Sequence, residues 1–324
     1  MMISKINDSG GDGFQYRLLL FLQNKLGDKD IRLEEIKKDK WLLHTDQEFW
    51  FLKLYPNKHK FQLQKNVTEA LRLEGFKKVP GYHPIHETDK LECDGKTAGL
   101  TEWIKTNGIF SYLSPNERQN ALSVLNEFHQ YSRKVLSKGK FPALPKQKLT
   151  DKWGLRLEEF IRNKQKLSVY VPPAVIDTYI QYGEKALQQL IRQGFSNDYC
   201  ILHGDVAHHN FLRDQNNQLF IIDLDLITEG PPEIDYIQFA NRIFPYINWS
   251  LAELWKHDPF PDYKGNRTFL YALLFPSDVF REWNRFFREG PGYQKNVWSY
   301  LMALTVHQFH ARMVCCRDIQ KSLN

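Results

Sequence analysis

Residues 201–212 read ILHGDVAHHNFL, with three histidines, one aspartate and one asparagine set beside an apolar run. Desolvating that many polar groups costs several kcal/mol unless partners take up their hydrogen bonds. Twelve residues lie between Asn210 and Asp223, which ends the apolar run LFIID. The intervening segment reads as a hairpin that returns Asp223 beside the loop. An asparagine carbonyl and an aspartate carboxylate on adjacent strand ends suit one hard cation. Magnesium prefers such sparse oxygen ligation, with nucleotide phosphates completing its shell. Asp205, on the same loop as Asn210, is a carboxylate able to accept the proton of an attacking hydroxyl, the division of labour that phosphoryl transfer requires. A hydrolytic zinc or manganese site on His203, Asp205, His208 and His209 ranks a distant third among the readings. Neither H-x-H-x-D-H nor H-E-x-x-H order occurs, and adjacent histidines rarely face one ion.

Upstream, Lys53 sits between Leu52 and Leu54 in the strand-like run FWFLKLYP. A lysine in such a setting calls for a counter-charge. Glu69, on the next helix, is the expected partner and Glu74 the runner-up, leaving the ammonium free to reach phosphate oxygens. The competing reading is an edge-strand lysine whose stem is merely packed.

The elements that must position these residues follow from periodicity. Phe14, Leu18, Leu22 and Leu26 recur every four residues and predict an amphipathic helix after GGDG. Short β-type runs at 31–36, 41–44 and 49–56, separated by KKDK and TDQE, predict an antiparallel meander. Leu63, Val67, Ala70 and Leu71 mark a helix stopped by Gly75, and 98–104 reads as a further strand. Ser-Pro-Asn-Glu at 114–117 is a capping box opening a helix through about Tyr131. Helical patterns near 151–166 and 173–193 precede the polar loop, and a last helix starts near Gln294. The layout is α+β in two lobes, 1–104 and 105–324, with a hinge near 102–108.

Composition bounds the rest. The 324 residues are 42% hydrophobic, which argues against disorder. Four cysteines without C-x-x-C spacing exclude a zinc ribbon and a disulfide framework. No signal-peptide shape and no eighteen-residue apolar run occurs, so a cytoplasmic protein without membrane partners is expected. The net charge is +6, yet 133–166 alone holds eleven Lys/Arg against three acids. A solvated face is the favoured reading of that stretch over a nucleic-acid patch, and its sign disfavours polycationic ligands.

Taken together these residues resemble the aminoglycoside phosphotransferase and choline kinase-like superfamily. HGDVAHHN is similar to its H-G-D-x-x-x-x-N loop, and IIDLD to its metal-binding strand. ALSVLNEFHQYS resembles its Leu/His-rich helix, and GPPEIDYIQF its downstream segment with Asp235 in the aspartate position. The resemblance implies a protein-kinase-like fold with a small antiparallel-sheet nucleotide lobe and a larger helical lobe. It implies ATP- and magnesium-dependent transfer of the γ-phosphoryl group to a small-molecule hydroxyl. Asp205 would be the catalytic base, Asn210 and Asp223 the magnesium ligands, Lys53 the phosphate lysine and Glu69 its holder. Backbone groups of Glu102, Trp103 and Ile104 would meet adenine, His203 would buttress the loop, and Asp225 would be an outer acid.

Chain length, the basic stretch and an aromatic C-terminal half resemble the spore-coat-associated (CotS-like) branch, implying coat proteins as partners. A catalytically inactive coat-assembly protein is the alternative. Two departures stand out: the hairpin IRLEEIKKDKWLLH has no glycine, and AHH replaces the family's H-P-G. The acceptor pocket is expected from 149–194 and the aromatic C-terminal segment. There Tyr246, Trp249 and Trp255 form either a cation cage or, more often for such residues, core.

Overall fold

The computed structural model describes residues 12–46, 48–139 and 144–324. It divides into two compact units. The first comprises the chain up to Ile109, a short return at Ser137–Pro142 and the segment Leu212–Asp225. The second comprises Phe110–Leu136, Ala143–Phe211 and Leu226–Asn324. The expected boundary at 104/105 therefore lies five residues early, and the segment carrying Asp223 belongs to the first unit rather than to a continuous 105–324 lobe.

In the first unit, helix α1 (Asp12–Leu26) precedes strands β1 (Arg32–Lys37), β2 (Lys40–His44) and β3 (Phe49–Tyr55). Helix α2 (Lys58–Glu74), strand β4 (Glu92–Cys93) and strand β5 (Lys96–Glu102) follow. The sheet is antiparallel in the order β1-β2-β3-β5-β4. Side chains alternate across a strand. Leu18 and Leu22 of α1 pack with Trp41, Leu43, Leu52, Leu54, Ala98 and Leu100 in a buried core. The same alternation turns Phe51, Lys53 and Tyr55 to the opposite face, where they line a cavity. Asp39 supplies the turn between β1 and β2 with φ 62°, doing without glycine what a tight turn demands. Asn57 caps α2 through its side chain, and Gly75 ends it with φ 109°.

The second unit is built on helices α3 (Pro115–Ser137), α4 (Leu149–Arg162) and α5 (Pro173–Gln193), followed by α6 (Glu233–Ile243) and α7 (Arg267–Leu274). It closes with α8 (Ser277–Arg288), α9 (Pro291–Met302) and α10 (Phe309–Leu323). Helix α3 runs six residues beyond the expected end at Tyr131, because Ser132 and Val135 continue its buried stripe. Short strands Cys200–Leu202 and Thr228–Gly230 pair antiparallel and bracket the polar loop in sequence. The single terminal helix expected from Gln294 is two, α9 and α10, joined by a wider turn at Ala303–His307.

Candidate active site

Lys53 is 9% exposed, and the helix glutamate expected to hold it does not. Glu69 instead pairs with Lys65, one turn away on α2, at 2.6 Å, and the runner-up Glu74 pairs with Lys138. The expected lysine partner is thus corrected: Lys53 Nζ lies 2.9 Å from Asp223 Oδ1 and 2.6 Å from Asp225 Oδ1. The reason is the pitch of α2. Residues three to four apart share a helix face, and the face turned to the cluster carries Gln64, one turn ahead of Thr68, while Glu69 turns toward Lys65. Gln64 is buried and donates from Nε2 to Asp225 Oδ1 at 2.5 Å, while its Oε1 accepts from the Tyr55 hydroxyl at 3.0 Å. Burial pushes the Tyr55 hydroxyl well up, keeping it a neutral donor.

Two further lysines complete the cluster. Lys40, the cross-strand partner of Lys53, reaches Asp223 Oδ2 at 3.2 Å, and Lys60 lies 3.5 Å from Asp225 Oδ2. Burial pushes the Asp223 carboxyl up, but the Lys53 and Lys40 ammonium groups more than offset it and hold its pKa at about 2. Asp223 itself has φ 63°, a left-handed backbone that aspartate tolerates better than most residues.

This charged cluster forms one end of a cavity of about 210 Å³, whose remaining wall includes Ile36, Phe51, Val79, Leu212 and Ile222. Gly99 faces Lys53 across the β3–β5 ladder, and a Cβ there would stand 2.8 Å from the Tyr55 ring. Glu102, Trp103 and Ile104 line the other end, where β5 leaves the sheet. Both Glu102 carboxylate oxygens accept from Arg72 of α2, at 2.9 and 3.1 Å, and one also accepts from the Gly81 amide at 2.9 Å. The strand end is thereby tied to α2. The Ile104 backbone N–H has no hydrogen-bond partner among the described residues.

In the second unit the loop carrying Asp205 and Asn210 is clamped by Asp235 of α6. The buried Asp235 carboxylate accepts from the backbone amides of His203 at 2.7 Å and Gly204 at 3.0 Å, and lies 2.9 Å from His129 Nε2. Burial pushes the Asp235 carboxyl up, and the His129 hydrogen bond and charge with the His203 amide outweigh it and lower its pKa. Gly204 has φ 79°, and a Cβ there would stand 2.3 Å from the Leu226 carbonyl oxygen, so this turn admits no side chain. His203 Nδ1 accepts from the Asp205 amide at 3.2 Å, the buttress expected of it. Asn210 donates from Nδ2 to the Asp205 carbonyl at 2.8 Å, which leaves its Oδ1 without a hydrogen bond among the described residues. The Asp205 carboxylate accepts from Arg242 Nη2 of α6 at 2.8 Å.

The first unit therefore brings Lys53 together with Asp223, and the second brings Asp205 together with Asn210. Sequence reasoning missed Lys40, Gln64 and Arg242. Lys40 had a signal, since the antiparallel register sets it opposite Lys53; the other two had none. The histidines do not gather: no cluster of three metal-ligating His, Cys, Asp or Glu side chains exists among the described residues. The aromatic cage does not form either. Arg312 already covers the Trp249 ring at 3.9 Å, and Trp255 packs on Phe269.

The model of the phosphotransferase enzyme family matches residues 33–263, more than half of the chain. The chain belongs to the phosphotransferase enzyme family. Solved structures agree on the fold of this phosphotransferase. An aminoglycoside phosphotransferase from Alicyclobacillus acidocaldarius is similar with a TM-score of 0.69 at 12% identity, over 98% of each chain. The AMP-bound spectinomycin phosphotransferase is similar with a TM-score of 0.63 at 13% identity, over 92% of this chain and 98% of that one. The choline kinase LicA from Streptococcus pneumoniae gives a TM-score of 0.54 at 12% identity, over 95% of this chain and 98% of its own. Among curated proteins no relative matches. No helix among the described residues is long and apolar enough to cross a membrane.

Proposed function

We propose that this phosphotransferase moves the γ-phosphoryl group of ATP to a hydroxyl of a small molecule, with magnesium as cofactor. The observation that carries the reading is the Lys53–Asp223–Asp225 cluster at one end of an otherwise largely apolar cavity. Apolar walls with a few convergent charges suit a nucleotide, base in the apolar part and phosphates at the lysines. Lys53 and Lys40 are assigned to phosphate oxygens, and the backbone of Glu102, Trp103 and Ile104 to the adenine edge. Asn210 Oδ1 and Asp223 supply hard oxygen donors of the kind magnesium takes, and the metal would neutralise phosphate charge. The carboxylates of Asp223 and Asp225, both bonded to Lys53, add hard oxygen donors that fit such an ion.

Asp205 is assigned as the base. The acceptor oxygen bonds to the γ-phosphorus, the bond to the β–γ bridging oxygen breaks, and ADP leaves. The hydroxyl proton passes to the Asp205 carboxylate, which Arg242 orients through its 2.8 Å hydrogen bond. Replacing Asp205 by Asn keeps the loop's shape and removes the proton acceptor. ATP consumption with a panel of hydroxyl-bearing metabolites should fall at least a hundredfold while the melting temperature stays within a few degrees. Retained turnover in Asp205→Asn overturns the assignment.

A second reading, an inactive scaffold, is favoured by one feature: the lysine–aspartate cluster is already closed on itself. A thermal-shift titration with Mg·ATP separates the two, because a ligand that binds the native state must raise its melting point. An unmoved melting point at millimolar nucleotide favours the scaffold. A cytoplasmic origin and association with spore-coat proteins belong to the proposal as well, supported by the branch resemblance of length, basic stretch and aromatic C-terminal half.

A further inference from the structure

All four carboxylate oxygens of Asp223 and Asp225 face ammonium groups of the first unit. Lys53 Nζ takes Asp223 Oδ1 at 2.9 Å and Asp225 Oδ1 at 2.6 Å, and Gln64 Nε2 shares the latter oxygen. Lys40 takes Asp223 Oδ2 at 3.2 Å, and Lys60 stands 3.5 Å from Asp225 Oδ2. The two sets are not equally firm. Charge-assisted hydrogen bonds weaken as they lengthen, and the side chain of Lys53 is 11% exposed against 29% for Lys40 and 37% for Lys60. The Oδ2 oxygens are therefore the ones that can be given up, and Lys40 and Lys60 are the groups that can leave.

Lys40 lines the cavity from the first position of β2, just after the glycine-free turn. The carbonyl of Asp39 accepts from the Leu54 amide of β3 at 2.9 Å, and its carboxylate pairs with Lys96 of β5 at 2.5 Å. With the turn pinned on both sides, what remains free to move is the long stem of Lys40. Three ammonium groups against two carboxylates leave a surplus of one positive charge in this cluster. A divalent cation arriving alone meets that surplus, and it finds both oxygens of Asp223 already bonded. Like charges at such separations repel strongly. Phosphate oxygens would offer the Lys40 and Lys60 ammonium groups new partners and free the Oδ2 oxygens.

We infer that Lys40, seconded by Lys60, stands in for the divalent metal at the carboxylates and makes metal binding to Asp223 conditional on the nucleotide. The inference rests on the phosphotransferase reading above for the identity of the nucleotide, whereas the blocking of Asp223 stands on the contacts of Lys40 itself. Coupling of this kind is reciprocal in binding free energy, so it shows with either ligand alone.

The test titrates Mn²⁺ into the full chain without nucleotide and follows the free ion by electron paramagnetic resonance. Lys40→Met should bind Mn²⁺ about tenfold tighter than wild type, and adding Asp223→Asn should abolish that gain. Lys40→Arg, which keeps the charge, should bind as wild type does. Lys96→Met removes an equal charge beside the same turn without touching either carboxylate, and it should also leave Mn²⁺ binding as it is. Metal-free ATP, titrated calorimetrically in EDTA, should move the other way and bind several-fold more weakly to Lys40→Met. Unchanged or weaker Mn²⁺ binding by Lys40→Met, an equal gain in Lys96→Met, a gain that survives Asp223→Asn, or metal-free ATP bound equally well by wild type and Lys40→Met overturns the inference. Should ATP bind wild type neither with nor without metal, the nucleotide reading falls, and the Mn²⁺ titration still judges whether Lys40 blocks Asp223.

Discussion

Lys53→Met removes one charge, keeps most of the stem's volume and leaves Asp223 and Asp225 in their half-buried setting. With the lysines present the Asp223 pKa sits at about 2 against an ordinary 3.8, a difference corresponding to about 2 kcal/mol. Lys53 is the largest of the lowering influences, ahead of Lys40. A carboxyl whose folded pKa is depressed contributes stability above its unfolded pKa and loses it as pH falls through the folded value. The wild-type contribution is therefore full above about pH 4 and gone by about pH 2. In Lys53→Met the Asp223 carboxylate keeps only Lys40, and burial pushes its pKa up. Urea unfolding followed by fluorescence of Trp41, Trp50 and Trp103 should show a loss of about 2 kcal/mol near pH 7. That gap should shrink by about half near pH 3, where the variant's Asp223 carboxyl is protonated and wild type has begun to weaken. A loss of equal size at both pH values would mean that packing, not charge, holds this cluster together.

Asp225→Asn should raise the apparent KM for ATP about tenfold by loosening Lys53, whereas Glu69→Ala, which breaks only the pair with Lys65, should leave ATP affinity unchanged and stability within about 0.5 kcal/mol; the reverse pattern in steady-state kinetics would restore the helix glutamate. Gly204→Ala must push its Cβ against the Leu226 carbonyl, which stands 2.3 Å away, and should cost more than about 3 kcal/mol in urea unfolding or prevent soluble expression. Asp235→Ala leaves the His203 and Gly204 amides and His129 without their buried acceptor, and a loss of about 3–5 kcal/mol is expected by calorimetry; a loss below about 1 kcal/mol would show that water replaces the carboxylate.

The sequence carried the sheet and its helices because their signals are local. The four-residue spacing of Phe14 to Leu26 became α1, and the breaks at KKDK and TDQE separate β1, β2 and β3. Asp205, Asn210 and Asp223 could be singled out because they lie within one short stretch. The partner of Lys53 was not. It depends on which face of α2 the fold presents and on a segment 170 residues away in sequence, and no periodicity fixes either. The glycine-free turn hid its own solution, since Asp39 adopts the left-handed conformation unassisted.

The late return of Leu212–Asp225 to the first unit bears on how this molecule can be taken apart. A truncation at residue 104 would keep every strand of the five-membered sheet and yet strip Lys53 of both its carboxylates, and Lys78 of the amide of Ile221 that its carbonyl accepts. Such a fragment would expose a stranded ammonium in a gutted hollow. Fusing 212–225 onto the amino-terminal piece, rather than simple excision, is the route to a separable first unit.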